Sequence, residues 1–289
     1  MFHVGSCDDV ERCFERSFEW AVSARAKSQE GTMTMTVPVA RPGRPGRAMT
    51  VRRSVIAALR EAADPARAPQ QQAYMKSEMP FFGVGVPQCR RIAQTVFRSH
   101  PLADAGAWER AILDLWRHAA RREERYAAIE LLLFQPYVRW LEPARLPLIE
   151  ELVVTGAWWD YVDAIAGRGV GTMLAAHPRP TKAVLREWAR DDDVWKRRTA
   201  ILAQLKAKGA TDTTLLADTI RPSIGEAEFF LRKGIGWALR EYSKTDPGWV
   251  TAFVDAHPGL SDLSRREALK HLERTNALAR PPSTSKSCV

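Results

Sequence analysis

The chain has 289 residues, of which 45% are hydrophobic and 27% are charged, and its formal net charge at neutral pH is +9. No apolar run approaches the roughly 18 residues that a membrane span requires. The four cysteines form no Cys-x-x-Cys pair and the histidines show no metal-binding spacing, so we expect no disulfide framework, zinc site or iron–sulfur cluster. The N-terminus has no apolar signal segment, and we therefore expect a cytoplasmic protein.

Most of the positive charge lies after residue 48. Residues 1–48 carry seven Lys/Arg and six Asp/Glu, show little periodicity and end in a basic Pro/Gly stretch. We interpret them as a disordered N-terminal extension, and residues 276–289 as a flexible C-terminal tail. Residues 49–275 are then the folded domain, and their basic balance favours a polyanionic partner.

Apolar residues recur at helical spacing along this domain, and no segment alternates as a strand would. Short polar, Pro or Gly segments separate the apolar patterns. The sequence therefore predicts an all-α protein. The predicted helices cover residues 51–63, 87–100, 107–117, 122–134, 143–153, 158–168, 181–190, 194–206, 228–242 and 247–256.

Four of these helices share a short repeated motif. Ala-Ile occurs at residues 128–129, 164–165 and 200–201, Gly-Ile occurs at 234–235, and the Ile residues are 36, 36 and 34 residues apart. A pair of helices with its turns needs about that many residues. We therefore expect an α-solenoid of helical repeats, with a concave basic groove that suits duplex DNA.

Two tryptophans and two aspartates crowd the start of one predicted helix, over residues 158–163. They fit a structural role, in which the tryptophans pack in the core and Asp160 favours the helix N-terminus. However, Trp159 and Asp163 are four residues apart and share a helix face. An aromatic ring beside a carboxylate suits the stabilisation of a developing cation, so both interpretations stay open here.

Two glycine-rich segments resemble nucleotide-binding loops only superficially. Gly83 and Gly85 follow no strand and precede no Gly-Lys-Ser/Thr sequence, so we expect a structured turn before a helix that opens at Pro87. Residues 167–171 (Gly-Arg-Gly-Val-Gly) follow a predicted helix, and we interpret them as its C-cap and turn. The acidic residues 191–193 are expected to lie at the N-terminus of the next helix.

Four stretches of the domain are distinctive: AYMKSEMPFFGV (73–84), WWDYVDAIA (158–166), WKRRTAILAQLKAK (195–208) and FFLRKGIGWALREYSKT (229–245). They resemble the AlkD family of DNA alkylation repair enzymes, which are glycosylases built from HEAT-like repeats. The resemblance implies an enzyme of base excision repair that hydrolyses the N-glycosidic bond of alkylated, cationic purines, such as 3-methyladenine and 7-methylguanine, in duplex DNA. It implies a monomer and no metal or organic cofactor.

By motif position, the resemblance assigns the catalytic carboxylate to Asp163, the active-site tryptophans to Trp159 and Trp237, and the active-site arginine to Arg198. We expect Asp163, near Arg198, to stay ionised at neutral pH. Three further residues fall where the family contacts DNA, and a fourth belongs to a basic triplet that is a candidate for phosphate contact. The three residues are Tyr74, Lys206 and Arg240, and the fourth is Arg197.

A helical projection indicates that these residues line one side of the predicted groove. With the Ile of each repeat as origin and about 100° per residue, six of them fall within an arc of about 140°. They are Trp159, Asp163, Arg198, Lys206, Trp237 and Arg240.

Two other functions remain open on sequence grounds. A non-catalytic HEAT-like module that binds branched or distorted DNA would explain the charge, but not the carboxylate of Asp163 beside Trp159. A protein-binding scaffold would predict a less basic surface and no affinity for DNA. Release of a free alkylated base from methylated DNA distinguishes the enzyme from both.

Overall fold

The computed structural model describes residues 50–279, in which every regular element is a helix and there is no strand. The predicted fold class is therefore confirmed. The predicted N-terminal extension, residues 1–48, and residues 280–289 of the predicted tail lie outside the described residues. Within the described part of the chain, no helix is both long enough and apolar enough to cross a membrane.

The α-helices of the described residues are numbered here in chain order. Short 3-10 segments follow some of them, at Gln135–Trp140, Pro143–Arg145, Lys208–Ala210 and Arg221–Ser223. The α-helices are α1 Val51–Glu61, α2 Ala68–Met75, α3 Val86–Ser99, α4 Ala105–Arg117, α5 Arg122–Leu132, α6 Leu146–Gly156, α7 Trp159–Ala164, α8 Gly171–Ala176, α9 Pro178–Trp188, α10 Val194–Leu202, α11 Thr213–Ile220, α12 Phe229–Ser243, α13 Pro247–Ala256 and α14 Asp262–Ala279.

The chain divides into two compact units, and the first comprises residues 50–102 and 113–128. Its glycine-containing loop is held by a buried carboxylate. The backbone N–H groups of Phe82, Gly83 and Val84 donate to Glu123 at 2.9, 3.0 and 3.1 Å. This confirms the structured turn predicted before α3.

The second unit comprises residues 103–112 and 129–279, and within it pairs of helices repeat. The second helices of successive pairs pack on each other: α10 lies against both α7 and α12, and α14 lies against α12. Among the first helices, α9 packs on α11. The repeated residues Ile129, Ile165, Ile201 and Ile235 are all buried. This packing is that of an α-solenoid of helical repeats, as the spacing predicts.

The turn predicted at residues 167–171 was wrong. After α7, Ile165–Val170 form a π-helical turn that leads directly into α8. Gly171 serves close packing instead, since a Cβ at that residue would lie 2.7 Å from the backbone oxygen of Ala203. π-helical turns are rare and frequently occur at functional sites, and this one directly follows the helix that carries Asp163.

Candidate active site

Helix α7 carries the candidate catalytic carboxylate. Tyr161 and Val162 are fully buried and fix the orientation of the helix in the core. Trp159 and Asp163 lie one helical turn apart on a shared face, and both are only partly buried. Asp160 lies in the first turn, where a carboxylate favours the helix N-terminus.

Arg198 on α10 holds Asp163 in place. Its Nε and Nη2 donate to the two carboxylate oxygens at 2.7 and 2.9 Å, which makes the ion pair bidentate. Its Nη1 donates to the carbonyl oxygen of Phe230, near the start of α12. The Arg198 side chain is 0% exposed, whereas that of Asp163 is 11% exposed. One buried guanidinium therefore links α7, α10 and α12, and only the carboxylate has access to solvent.

The position of α10 depends on an N-terminal cap. The Asp193 side chain accepts hydrogen bonds from the N–H groups of Trp195 and Lys196 at 2.8 and 2.9 Å. This confirms the helix-start interpretation of the acidic residues 191–193. The cap satisfies backbone donors at the helix start, one turn before Arg198.

Burial and ion pairing have opposite effects on the pKa of the Asp163 carboxyl. Burial raises the pKa of Asp163 above its ordinary value, and the negative charge of Asp160 adds to this increase. The Arg198 guanidinium opposes both effects through its charge and its hydrogen bonds. The result is a desolvated carboxyl whose two oxygens are fixed, and a charge held in this way is pre-organised to stabilise a cation.

Helix α12 contributes the second candidate tryptophan. Trp237 is partly buried and packs against the hydrophobic core that contains Ile201 and Ile235. A Cβ on Gly234 would lie 3.1 Å from Nη1 of Arg198, so α12 contacts the guanidinium at that residue. Trp237 is one helical turn from this contact.

The two adjacent tryptophans at the start of α7, Trp158 at its N-cap and Trp159 as its first residue, have different surroundings. Trp158 packs in an aromatic cluster, 5.5 Å from Phe230 and 6.4 Å from Trp195 between ring centroids. Phe230 and Trp195 are themselves 5.0 Å apart. The structural role considered for both tryptophans therefore applies to Trp158. Trp159 is partly buried and lies on the face of α7 that carries Asp163.

The predicted DNA contacts differ in their environments. Arg240 on α12 donates to Glu267 at 2.5 Å, and Arg197 on α10 donates to Glu226 at 2.8 Å. Their side chains are only 13% and 14% exposed, and neither ion pair was predicted. Lys206, beyond the end of α10, is exposed. The fourth predicted contact, Tyr74, lies on α2 in the first unit and is partly buried.

The comparisons with known proteins agree on one family. The sequence model of the family described as "DNA alkylation repair enzyme" matches residues 55–272. The solved structure of a predicted DNA alkylation repair enzyme from Enterococcus faecalis is 29% identical, with a TM-score of 0.62, and the match covers 73% of this chain and 96% of that one. A search of curated proteins finds no match. Since the family match spans well over half of the sequence, the chain belongs to the DNA alkylation repair enzyme family and has a role in the repair of alkylation damage.

Proposed function

We propose that the protein is a DNA glycosylase that hydrolyses the N-glycosidic bond of alkylated, cationic purines, such as 3-methyladenine and 7-methylguanine, in duplex DNA. The family gives the role in alkylation repair, and the reaction is our inference. The observation that carries it is the Asp163 carboxylate, which Arg198 holds by both oxygens one helical turn from Trp159.

The chemistry of the substrate decides what the enzyme has to supply. An alkylated purine carries a positive charge, so the leaving base needs no protonation. When the bond between C1′ of the sugar and N9 of the purine breaks, its electron pair moves to the base, which becomes neutral, and positive charge develops on the sugar. Water then bonds to C1′ and gives up a proton. The enzyme therefore has to stabilise a cation and orient a water molecule.

The candidate site contains groups for both tasks. The negative charge of Asp163 stabilises the cationic sugar, and its oxygens can orient the water and accept the proton. Trp159 and Trp237 offer electron-rich ring faces to the cation. Arg198 is fully buried and bonded to both carboxylate oxygens, so we assign it a positioning role that it exerts through Asp163. This reaction requires no metal or organic cofactor.

We assign DNA binding to basic side chains on α10, on α12 and in the segment that follows α10. Lys206, Arg197 and Arg240 are proposed to contact phosphates from a basic groove, and Tyr74 of the first unit is proposed as a further DNA contact. Phosphate contacts fix the position of a protein on the duplex without reading its sequence, which suits a monomeric enzyme that must find scattered lesions.

Base release from methylated DNA tests this function. The protein is incubated with duplex DNA treated with a methylating agent, and the free 3-methyladenine and 7-methylguanine are measured together with the abasic sites formed. We expect equal numbers of free bases and abasic sites, well above those of a sample without protein. Binding to this DNA without base release would contradict the proposal and support the non-catalytic binding module.

A further inference from the structure

Helix α14 lies very close to α12. A Cβ added to Gly236 on α12 would lie 2.5 Å from Cβ of Glu267 and 3.0 Å from the carbonyl oxygen of Ser264. The hydroxyl of Ser264 donates to the carbonyl oxygen of Arg232 at 2.9 Å. These contacts fix the register of α14 against α12, so the side chains that α14 directs at α12 have defined positions.

The carboxylate of Glu267 lies between two cations of α12. The Glu267 side chain is 2% exposed, and its Oε1 lies 3.2 Å from Nζ of Lys233, whose side chain is 1% exposed. Its Oε2 accepts a hydrogen bond from Nη1 of Arg240 at 2.5 Å. A third cation, Nζ of Lys270 on α14 itself, is 3.8 Å from Oε1. One carboxylate thus connects the last helix to two charged positions of α12.

Neutralisation of the buried Lys233 accounts for only part of this arrangement. The other carboxylate oxygen is bonded to Arg240, and a guanidinium carries five N–H donors in one rigid plane. The hydrogen bond from Nη1 to Glu267 holds one corner of that plane and therefore limits the directions in which the remaining donors can point. Arg240 follows Trp237 by three residues, so the anchored guanidinium is one helical turn from the candidate site.

We propose that Glu267 is a positioning residue for DNA: it anchors Arg240 and thereby orients the phosphate contact of that arginine. This inference rests on the proposed function, under which Arg240 contacts DNA. Charge alone predicts the opposite effect, because a carboxylate beside a DNA-contacting arginine repels phosphate and its removal would tighten binding. Removing the carboxylate should therefore weaken DNA binding if it anchors Arg240, and tighten DNA binding if it only repels phosphate.

The test uses Lys233→Met as the reference chain, because removal of Glu267 alone would take the carboxylate away from a buried lysine and risk unfolding. In this background, Glu267→Met and Glu267→Gln both remove the negative charge, but only Gln keeps an acceptor oxygen for Arg240. Dissociation constants for an undamaged DNA duplex are measured over a range of salt concentrations. Melting temperatures of all variants verify that they are folded.

We expect Glu267→Met to weaken binding about tenfold and to reduce the slope of log Kd against log salt by about 0.9, the value for one lost phosphate contact. Glu267→Gln should keep most of the slope, and adding Arg240→Ala to Glu267→Met should change binding no further. Equal slopes for the Met and Gln variants, or additive effects with Arg240→Ala, would overturn the positioning role. If Glu267→Met does not fold, Glu267→Gln decides: unchanged or weaker binding supports the role, and tighter binding overturns it.

Lys206→Ala in the same background distinguishes failure of this inference from failure of the proposed function. Lys206 is an exposed, proposed DNA contact that follows α10, whereas Glu267 and Arg240 lie on α14 and α12. If Lys206→Ala and Arg240→Ala both reduce the slope but Glu267→Met does not, DNA binding stands and the positioning role fails. If the reference chain does not bind the duplex at all, the proposed function fails, and the role of Glu267 fails with it.

Discussion

The bidentate pair of Asp163 and Arg198 is more informative about function than about stability. Removing two charges from water is costly, and a buried pair of this kind often stabilises a fold no better than apolar side chains of the same volume would. The geometry does have a chemical use, because it fixes both oxygens of a carboxylate that is still 11% exposed. We therefore interpret Arg198 as the residue that makes Asp163 rigid.

The pH dependence of excision should show the buried state of Asp163. Burial raises the pKa of Asp163, and only the ionised form stabilises a cation, so activity should be lost on the acid side at a higher pH than for an ordinary Asp. The charge of Asp160 contributes to this increase. Asp160→Asn should lower the pKa of Asp163 and shift the acid limb to lower pH. Single-turnover excision rates of the parent and Asp160→Asn are measured from pH 4 to 8. An acid limb that moves to higher pH in Asp160→Asn would contradict the prediction.

Trp159 should be needed for activity more than for folding. It is partly exposed and, under the proposed function, faces the sugar and the lesion, so Trp159→Ala should slow base excision with little change in melting temperature. The matched control is Trp108→Ala, because Trp108 is 0% exposed and truncation of a buried Trp costs about 3–5 kcal/mol. Thermal unfolding and single-turnover excision are measured for both variants. A comparable loss of stability for both would assign Trp159 to the core.

At the scale of the helices, the prediction from sequence succeeds where the buried stripe is apolar and long. It misses three short helices, whose apolar pattern spans about two turns or less: α2 and α11, with eight residues each, and α8, with six. It also misses α14, although that helix is long. The face of α14 turned to α12 buries Ser264 and Glu267, and polar residues in a buried stripe erase the apolar period. Their partners lie on another helix, so local sequence does not reveal them.

The continuous helix through residues 159–176 gives a matched pair of glycine substitutions. Gly171→Ala would place a Cβ 2.7 Å from a backbone oxygen of Ala203, and backbone cannot move as a side chain can, so we expect a loss of about 1–3 kcal/mol. At Gly167 the nearest atom would be 3.6 Å away, and Gly167→Ala should be neutral or stabilise the helix by up to about 1 kcal/mol. Urea unfolding of both variants checks this. The reverse order would mean that α8 and the chain at Ala203 are not closely packed.

At the scale of the whole molecule, the repeat period explains why part of the site could be foreseen. Asp163 and Arg198 are 35 residues apart, one residue less than the repeat of 36 between Ile165 and Ile201, so they lie at nearly the same level of neighbouring second helices and come into contact. Their roles, in contrast, follow from the family resemblance and not from the spacing. The anchoring of Arg240 by Glu267 was not foreseen, because Glu267 lies on the unpredicted α14.

A basic protein that contacts several phosphates should bind DNA in a strongly salt-dependent way. We expect log Kd for undamaged duplex to rise linearly with log salt, because binding releases counterions. Lys206→Ala should reduce the slope by about 0.9. The control is Arg179→Ala, which removes another exposed cation; Arg179 lies on α9, in the layer of first helices. Fluorescence anisotropy at several salt concentrations measures both, and equal effects of the two variants would contradict a DNA surface formed by the second helices.

The most direct test of the account compares two carboxylates of one helix, Asp160 and Asp163. Asn is nearly isosteric with Asp but carries no charge. Since Asp163→Asn also takes the carboxylate away from buried Arg198, a loss of about 3–5 kcal/mol of stability is expected. DNA binding is therefore verified at the assay temperature. The neutral pair Asp163→Asn with Arg198→Gln is the second variant if the first does not fold.

The measurement is the single-turnover release of 7-methylguanine from methylated duplex by Asp163→Asn, Asp160→Asn and the parent chain. We predict that Asp163→Asn binds DNA at least as tightly as the parent but releases the base at least about a hundredfold more slowly, on the order of 3 kcal/mol of transition-state stabilisation. Asp160→Asn should reduce the rate of base release much less. Near-parental release by a folded Asp163→Asn chain, or loss of activity in Asp160→Asn instead, would contradict the assignment of Asp163 as the catalytic carboxylate.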